Sequence, residues 1–252
     1  MIDFLRKKTM HSVTLILIVS AMVWLCNANP FENETPKVLS KSFNLRNKTN
    51  YIVYWGATDN EGQLSDYCND NIYDVIILSF VDSFNADGVP GLDMDGCDGQ
   101  DCSNLGREVQ KCQNNGKTIM LSVGGADGPY KLTSVDYARK VAGHLWNMFL
   151  NGTGEKRPFG NGVVLDGIDF DVEKGAKEAD AYWAALINEV RSLSKADPGR
   201  HYYLSGAPQC VYPDEWFGPG PQTAINEADL DFISIQFYNN YCGVQSYFRL
   251  YT

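Results

Sequence analysis

Apolar residues recur in six short runs along the chain, each bounded by glycine, proline or polar residues. Tyr51–Trp55 ends at Gly56. Val75–Val81 (VIILSFV) is almost continuously apolar, the pattern of a strand buried on both faces. Thr118–Val123 (TIMLSV) runs into Gly124-Gly125, and Val163–Val172 is apolar but interrupted by acids. Tyr202–Ala207 and Phe232–Tyr238 complete the set. Between the runs, Leu105–Asn114 and Val135–Leu150 are amphipathic in outline, with Gly116 and Gly152 as stops. Ala176–Ser194 carries Trp183, Leu186, Val190 and Leu193 at helical spacing, followed by Pro198 and Gly199. Strands alternating with helices predict parallel βαβ units. A doubly wound sheet and a barrel share that pattern. Polar or glycine residues at the C-terminal end of nearly every strand favour the barrel, which gathers those ends at one mouth. The expectation is an α/β fold of (β/α)8 TIM-barrel type with about six βα units. Asn239–Thr252 supplies no further strand, so the barrel is expected to be C-terminally incomplete.

The N-terminus reads as an export signal, residues 1–28. Arg6, Lys7 and Lys8 precede an apolar core, Val13–Leu25, and Cys26 and Ala28 place small residues for cleavage after Ala28. A membrane anchor is the rival, but the run is shorter than the roughly 18–20 residues a span needs. A secreted, extracellular protein is therefore expected, free of the membrane after cleavage. Residues 29–50, with Pro30 and Pro36, form a polar lead-in to a domain at 51–252. The formal charge is −10, and loss of residues 1–28 (net +2) takes it to −12. That balance argues against nucleic acid and other polyanions as partners. Of seven cysteines, Cys26 leaves with the signal. The six that remain, Cys68, Cys97, Cys102, Cys112, Cys210 and Cys242, suit disulfides in an exported chain, with the pairing open on spacing alone. A zinc site is the rival; no CxxC pair occurs and only His144 and His201 survive cleavage, so no metal and no cofactor are expected. Asn33, Asn47 and Asn151 each open an N-x-Thr sequon for glycosylation.

The most informative stretch is Leu165-Asp166-Gly167-Ile168-Asp169-Phe170-Asp171-Val172-Glu173. In a strand, Asp169, Asp171 and Glu173 share one face, and Ile168, Phe170 and Val172 take the other. Three carboxylates on one face of an interior strand repel one another and resist desolvation. Packing alone gives no reason to place them there. A solvated edge strand is the bland reading, opposed by the flanking apolar run and the helix that follows. A cation site is the second; a calcium loop needs glycine and polar residues between its ligands, where this chain has Phe and Val. The third is acid catalysis, in which a neighbouring carboxylate keeps a proton on Glu173 near neutral pH.

LDGIDFDVE resembles the DGxDxDxE signature of glycoside hydrolase family 18, and Ser122-Val123-Gly124-Gly125 resembles its SxGG motif. Tyr54-Trp55-Gly56, Ala207-Pro208-Gln209-Cys210 and Gln236-Phe237-Tyr238-Asn239-Asn240 resemble segments of its plant and fungal class III chitinases. The resemblance implies a (β/α)8 barrel and substrate-assisted, retaining hydrolysis of β-1,4 linkages in chitin or chito-oligosaccharides. It also implies a monomer and leaves a lysozyme-like side activity on peptidoglycan within the chemistry. Glu173 would be the proton donor. Asp171 would orient the acetamido group and stabilise the oxazolinium ion, and Asp169 would share a proton with Asp171. Tyr238 would donate to the acetamido oxygen, with Gln236, Gly124 and Gly125 around the same pocket. The resemblance raises Tyr54 and Phe80 to sugar-stacking candidates, while Trp146 and Trp183 read as core. It further implies disulfides Cys68–Cys112, Cys97–Cys102 and Cys210–Cys242. Two departures stand out. Ala57 and Thr58 follow Gly56 where the family usually has Gln-Asn, and the family's last two strands, with the tryptophan that floors its sugar pocket, are absent. A non-catalytic chitin-binding lectin or glycosidase inhibitor is the alternative from another class; the retention of all three acids favours catalysis.

Overall fold

The computed structural model describes residues 43–58, 60–175, 180–218 and 224–244. The signal segment, Asn33 and residues 176–179 at the head of one expected helix lie outside them. The strands are β1 (Ile52–Trp55), β2 (Val75–Phe84), β3 (Pro90–Leu92), β4 (Thr118–Gly125), β5 (Gly167–Val172), β6 (Tyr203–Gly206) and β7 (Phe232–Ile233). The helices are α1 (Leu64–Asn69), α2 (Ser103–Asn114), α3 (Val135–Phe149), α4 (Asp180–Ser194) and α5 (Ala224–Glu227). The sheet runs β1-β2-β4-β5-β6-β7, parallel throughout, and the short β3 pairs antiparallel with β2. Every parallel step passes through a helix, as parallel crossovers require. This is an α/β barrel of the TIM type, with six of its parallel strands among the described residues.

Period-two alternation sorts the strand residues into two cores. The side chains turned away from the barrel axis, among them Ile76, Leu78, Ile119, Leu121, Ile168, Phe170 and Leu204, pack beneath the helices with Leu105, Val141, Leu145, Leu186 and Val190. Phe170 meets Trp183 of α4 edge-on at 6.4 Å. Each such buried side chain contributes on the order of 2–3 kcal/mol. The inward set fills the barrel's N-terminal end: Val75, Ile77 and Met120 pack with Phe43 and with Ile52, Tyr54, Tyr203 and Phe232. Phe43, from the lead-in segment, plugs this end with its ring against Tyr203 (5.0 Å) and Phe232 (5.7 Å).

Several boundaries differ from expectation. Of Val163–Val172, only Gly167–Val172 joins the ladder. Leu165 instead bonds the last turn of α3 through Phe149 O (3.0 Å), and the Asp166 carboxylate accepts from Ile119 N and Arg200. Of Phe232–Tyr238, only Phe232–Ile233 is regular strand. Pro208 on the facing segment has no N–H to offer, so the ladder breaks there. It resumes with Gln236 N donating to Pro208 O (2.9 Å) and Cys210 N to Gln236 O (3.2 Å). The short elements α1, β3 and α5 have no counterpart in the sequence pattern. Helix α3 begins where Ser134 Oγ accepts from Tyr137 N (3.1 Å), an N-cap that fixes its start at Val135.

Candidate active site

Inside the barrel, the polar layer begins one step above the apolar plug. Register sets Asp169 of β5 beside Ser122 of β4 and Ser205 of β6. Its carboxylate accepts from Ser205 Oγ (2.5 Å), Ser122 Oγ (2.8 Å) and, across the barrel, Tyr54 Oη (3.0 Å). Asp169 is fully buried, and desolvation raises its pKa; the bonds from Ser205, Ser122 and Tyr54 act against that rise. Burial first, then the charge of Asp169, holds the Tyr54 phenol well above the usual tyrosine range, so it stays a donor.

Two residues on, Asp171 faces the same way beside Gly124. Burial, the charges of Glu173 and Asp169 and a hydrogen bond with Glu173 push its pKa up to about 8. At neutral pH Asp171 therefore keeps its proton, facing Glu173. The Gln236 amide nitrogen donates to Asp171 Oδ1 (2.7 Å), to Ala207 O (3.0 Å) and to Glu173 Oε1 (3.2 Å). Ala207 O can only accept, which fixes the amide's orientation. Gln236 therefore grips both acids from the β7 side. The sequence expectation paired Asp171 with Asp169. In the structure Asp169 turns to its three hydroxyls, and Asp171 to Glu173 and Gln236.

The glycines are spacers for this arrangement. Gly124 has φ +131°, and a Cβ there would lie 1.9 Å from the Asp171 carbonyl oxygen. Gly125 has φ +89°, with the Phe80 ring 3.2 Å from where its Cβ would be. Only glycine lets β4 carry a side-chain-free surface past β5 and under Phe80. Above them a cavity of about 380 Å³ is lined by Tyr54, Phe80, Gly125, Asp171, Glu173, Gln236 and Tyr238, among others. That volume suits a small ligand or one segment of a polymer. The Tyr54 and Phe80 rings lie 6.5 Å apart and tilted by 33°. Tyr238 is half exposed at the rim, its phenol pKa raised by burial and then by Asp171 and Glu173. A second cavity of about 440 Å³ shares Phe80 and Gly125, touches Gly124, and is lined by Asp82, Asp93, Asp95 and Asp127.

Seven of the nine residues named as catalytic or sugar-binding thus surround one cavity, Gly124 forms its backbone support, and Asp169 lies beneath it. Tyr54 does double duty: its hydroxyl is committed to Asp169, and its ring is left to meet a sugar. Sequence reasoning missed Ser205 and Tyr130. Ser205 had a signal, being a polar residue at an inward position of an otherwise apolar strand. Tyr130 had none; it reaches back from the loop after β4, donates to Gly125 O (2.6 Å) and accepts from Glu173 N (3.1 Å).

Three disulfides cross-link the framework. Cys68–Cys112 joins α1 to α2, Cys97–Cys102 closes the loop before α2, and Cys210–Cys242 ties the loop after β6 to the segment after Tyr238. Trp146 and Trp183 are buried and Trp216 packs at the core's margin. Asn47 Oδ1 accepts from Thr49, and Asn151 is exposed with its amide on Asp197. Among the described residues, no group of three or more His, Cys, Asp or Glu is arranged to hold a metal ion. None of the described helices is long and apolar enough to cross a membrane.

Parallel strands with inward carboxylates at their C-terminal ends define an α/β barrel with its chemistry at the mouth. Residues 50–248 match the model of the glycosyl hydrolases family 18, and the chain belongs to that family. It is 40% identical over 192 residues to an acidic endochitinase of Nicotiana tabacum, covering 75% of this chain and 62% of that one. The chain thus spans less than two thirds of that relative. Among solved structures, a chitinase from Ipomoea carnea superposes with TM-score 0.67 at 37% identity, over 75% of this chain and 68% of that one. A xylanase and alpha-amylase inhibitor protein from Scadoxus multiflorus gives TM-score 0.66 at 34% identity, over 81% and 73%.

Proposed function

We propose that the protein is an endochitinase that cleaves β-1,4 linkages between N-acetylglucosamine units by a retaining, substrate-assisted route. The observation that carries this reading is buried Asp171 hydrogen-bonded to half-buried Glu173, with both carboxyls gripped by Gln236 at the base of a ring-lined cavity. When a sugar enters, its acetamido N–H takes Asp171 as acceptor. That bond favours the Asp171 anion and passes the Asp171 proton to Glu173. Glu173 then protonates the glycosidic oxygen as the bond to the anomeric carbon breaks. The acetamido carbonyl oxygen attacks that carbon from the opposite face, and Asp171 stabilises the resulting oxazolinium. Tyr238 at the rim donates to the acetamido oxygen. Water opens the ring, returning a proton to Glu173 and leaving a β product. Asp169, held by three hydroxyls, anchors the polar layer beneath.

Secretion after removal of residues 1–28, action as a monomer, glycosylation at Asn33, Asn47 and Asn151, and a lysozyme-like side activity belong to the same proposal. Glu173→Gln tests its centre. The variant should keep the fold and lose turnover of chito-oligosaccharides by several orders of magnitude. Fully deacetylated chitosan should bind without cleavage, and NMR should find β product first. Near wild-type turnover by the variant, or early α product, would refute the mechanism. The likeness to the Scadoxus inhibitor supports a second reading, in which the protein binds other glycosidases without hydrolysing chitin. Inhibition of a xylanase or an amylase by a preparation with no chitinase activity would establish it.

A further inference from the structure

The last ladder rung between β4 and β5 is Gly125↔Val172. Glu173 sits one residue beyond it, where no strand residue is left to receive its amide. Tyr130 takes that place. Its hydroxyl accepts from Glu173 N (3.1 Å) and donates to Gly125 O (2.6 Å), so one oxygen joins the two strand ends as a side-chain rung. The ring carrying that oxygen is fixed. It is 2% exposed and packs edge-on against Trp183 of α4 at 6.1 Å. Trp183 itself is wedged between Phe84 and Phe170. On the other side Lys174 lies over the Tyr130 ring, 5.3 Å from its centre, with Nζ donating to Ala126 O (3.1 Å). The Glu173 side chain is held by Asp171 and by Gln236, its Oε1 lying 3.2 Å from the amide. Tyr130 adds the hold on its backbone.

We infer that Tyr130 is a positioning residue for the proton donor: its hydroxyl locks the backbone of Glu173 to the end of β4 and so aims the carboxyl at the leaving oxygen. The inference rests on the reading of Glu173 as the acid. Burial keeps the phenol's pKa well above the usual tyrosine range, so the clamp is made at every working pH. Small errors in placing a catalytic group cost rate more than binding, on the order of 10²-fold for about 1 Å.

The test compares two substrates of the same chito-oligosaccharide, one leaving with a sugar and one with an activated aryl group that needs no proton. Tyr130→Phe in the full chain should lower kcat for the sugar leaving group about 10- to 100-fold with KM within about twofold, and should barely alter kcat/KM for the aryl substrate, which reports only the step before ring opening. Damage to the fold would lower both rates together. In the Glu173→Gln background, Tyr130→Phe should add no further loss with the sugar leaving group, because its effect passes through the acid. If Tyr130→Phe does not melt cooperatively, a ring-fluorinated tyrosine at 130 weakens the oxygen as acceptor while keeping its shape, and the same contrast is read. Equal losses on both substrates, or no loss, would overturn the clamp while leaving Glu173 in place. A Glu173→Gln variant with normal turnover, or a wild-type chain that cleaves neither substrate, would overturn the functional reading and the clamp with it.

Discussion

Asparagine at position 171 keeps the shape of the aspartic acid and its neutral charge state, and removes only the capacity to ionise. In the folded protein Asp171 holds its proton until about pH 8, whereas an unfolded aspartate releases it near pH 4. Between those two values the folded chain binds the proton and the unfolded chain does not. Stability is therefore present in full below about pH 4 and declines as pH rises toward 8. The slope for one such group is ~1.4 kcal/mol per pH unit, and over roughly four units the loss is on the order of 5 kcal/mol. Asp171→Asn abolishes this penalty. Urea unfolding followed by tryptophan fluorescence, at intervals from pH 4.5 to 8 without reductant, should find the variant close to wild type at the acidic end. It should pull ahead steadily as pH rises. The amide nitrogen that Asp171→Asn introduces can donate to Glu173 as the protonated carboxyl does, so the low-pH agreement is part of the test. A difference between the two proteins that stays flat to within about 1 kcal/mol over this range would refute the placement of the proton on Asp171.

Gly124→Ala should cost about 3 kcal/mol or more, because its Cβ meets the Asp171 carbonyl at 1.9 Å and its φ of +131° strains any other residue; a thermal melt reads this directly. Tyr54→Phe removes one of the buried donors to Asp169 and should destabilise by about 1–2 kcal/mol, measured by denaturant unfolding. Unreduced, denatured chain of residues 1–252 should titrate at most one thiol, that of Cys26, since the other six cysteines are bridged. Two or more thiols would show that a bridge is wrong.

How much of this was legible beforehand depends on whether a feature is periodic. The β5 face was, because Asp169, Asp171 and Glu173 alternate with Ile168, Phe170 and Val172, and the same alternation separates the chemistry from the core. The long helices α2, α3 and α4 announced themselves by apolar spacing. What period two cannot report is the partner across the barrel. That Asp169 would be received by Tyr54 and Ser205, from strands far off in sequence, depends on register, and register is a tertiary fact. Sequence reasoning therefore gave Asp169 only Asp171 as a partner and could not supply the hydroxyls that hold it. Tyr130 was less visible still, since it enters the site from a loop and acts through one oxygen. At β7 the hydrophobic run overshot the ladder because Pro208, on the other segment, removes the donor that would continue it.

The interleaving on β5 also bears on how such a chain can change over time. Even-numbered positions 168, 170 and 172 answer to folding and odd-numbered 169, 171 and 173 to chemistry, with almost no residue serving both. A substitution at an odd position leaves the packing under the helices untouched. At position 171 a neutral side chain also relieves the repulsion and desolvation that crowded carboxylates impose, so loss of the reaction there comes with a gain in stability near neutral pH. Selection must act continually to keep the acids, and drift runs toward a more robust, silent barrel. A scaffold poised this way sheds catalysis cheaply and keeps its cavity, which is a physical route from a hydrolase to a protein that only binds.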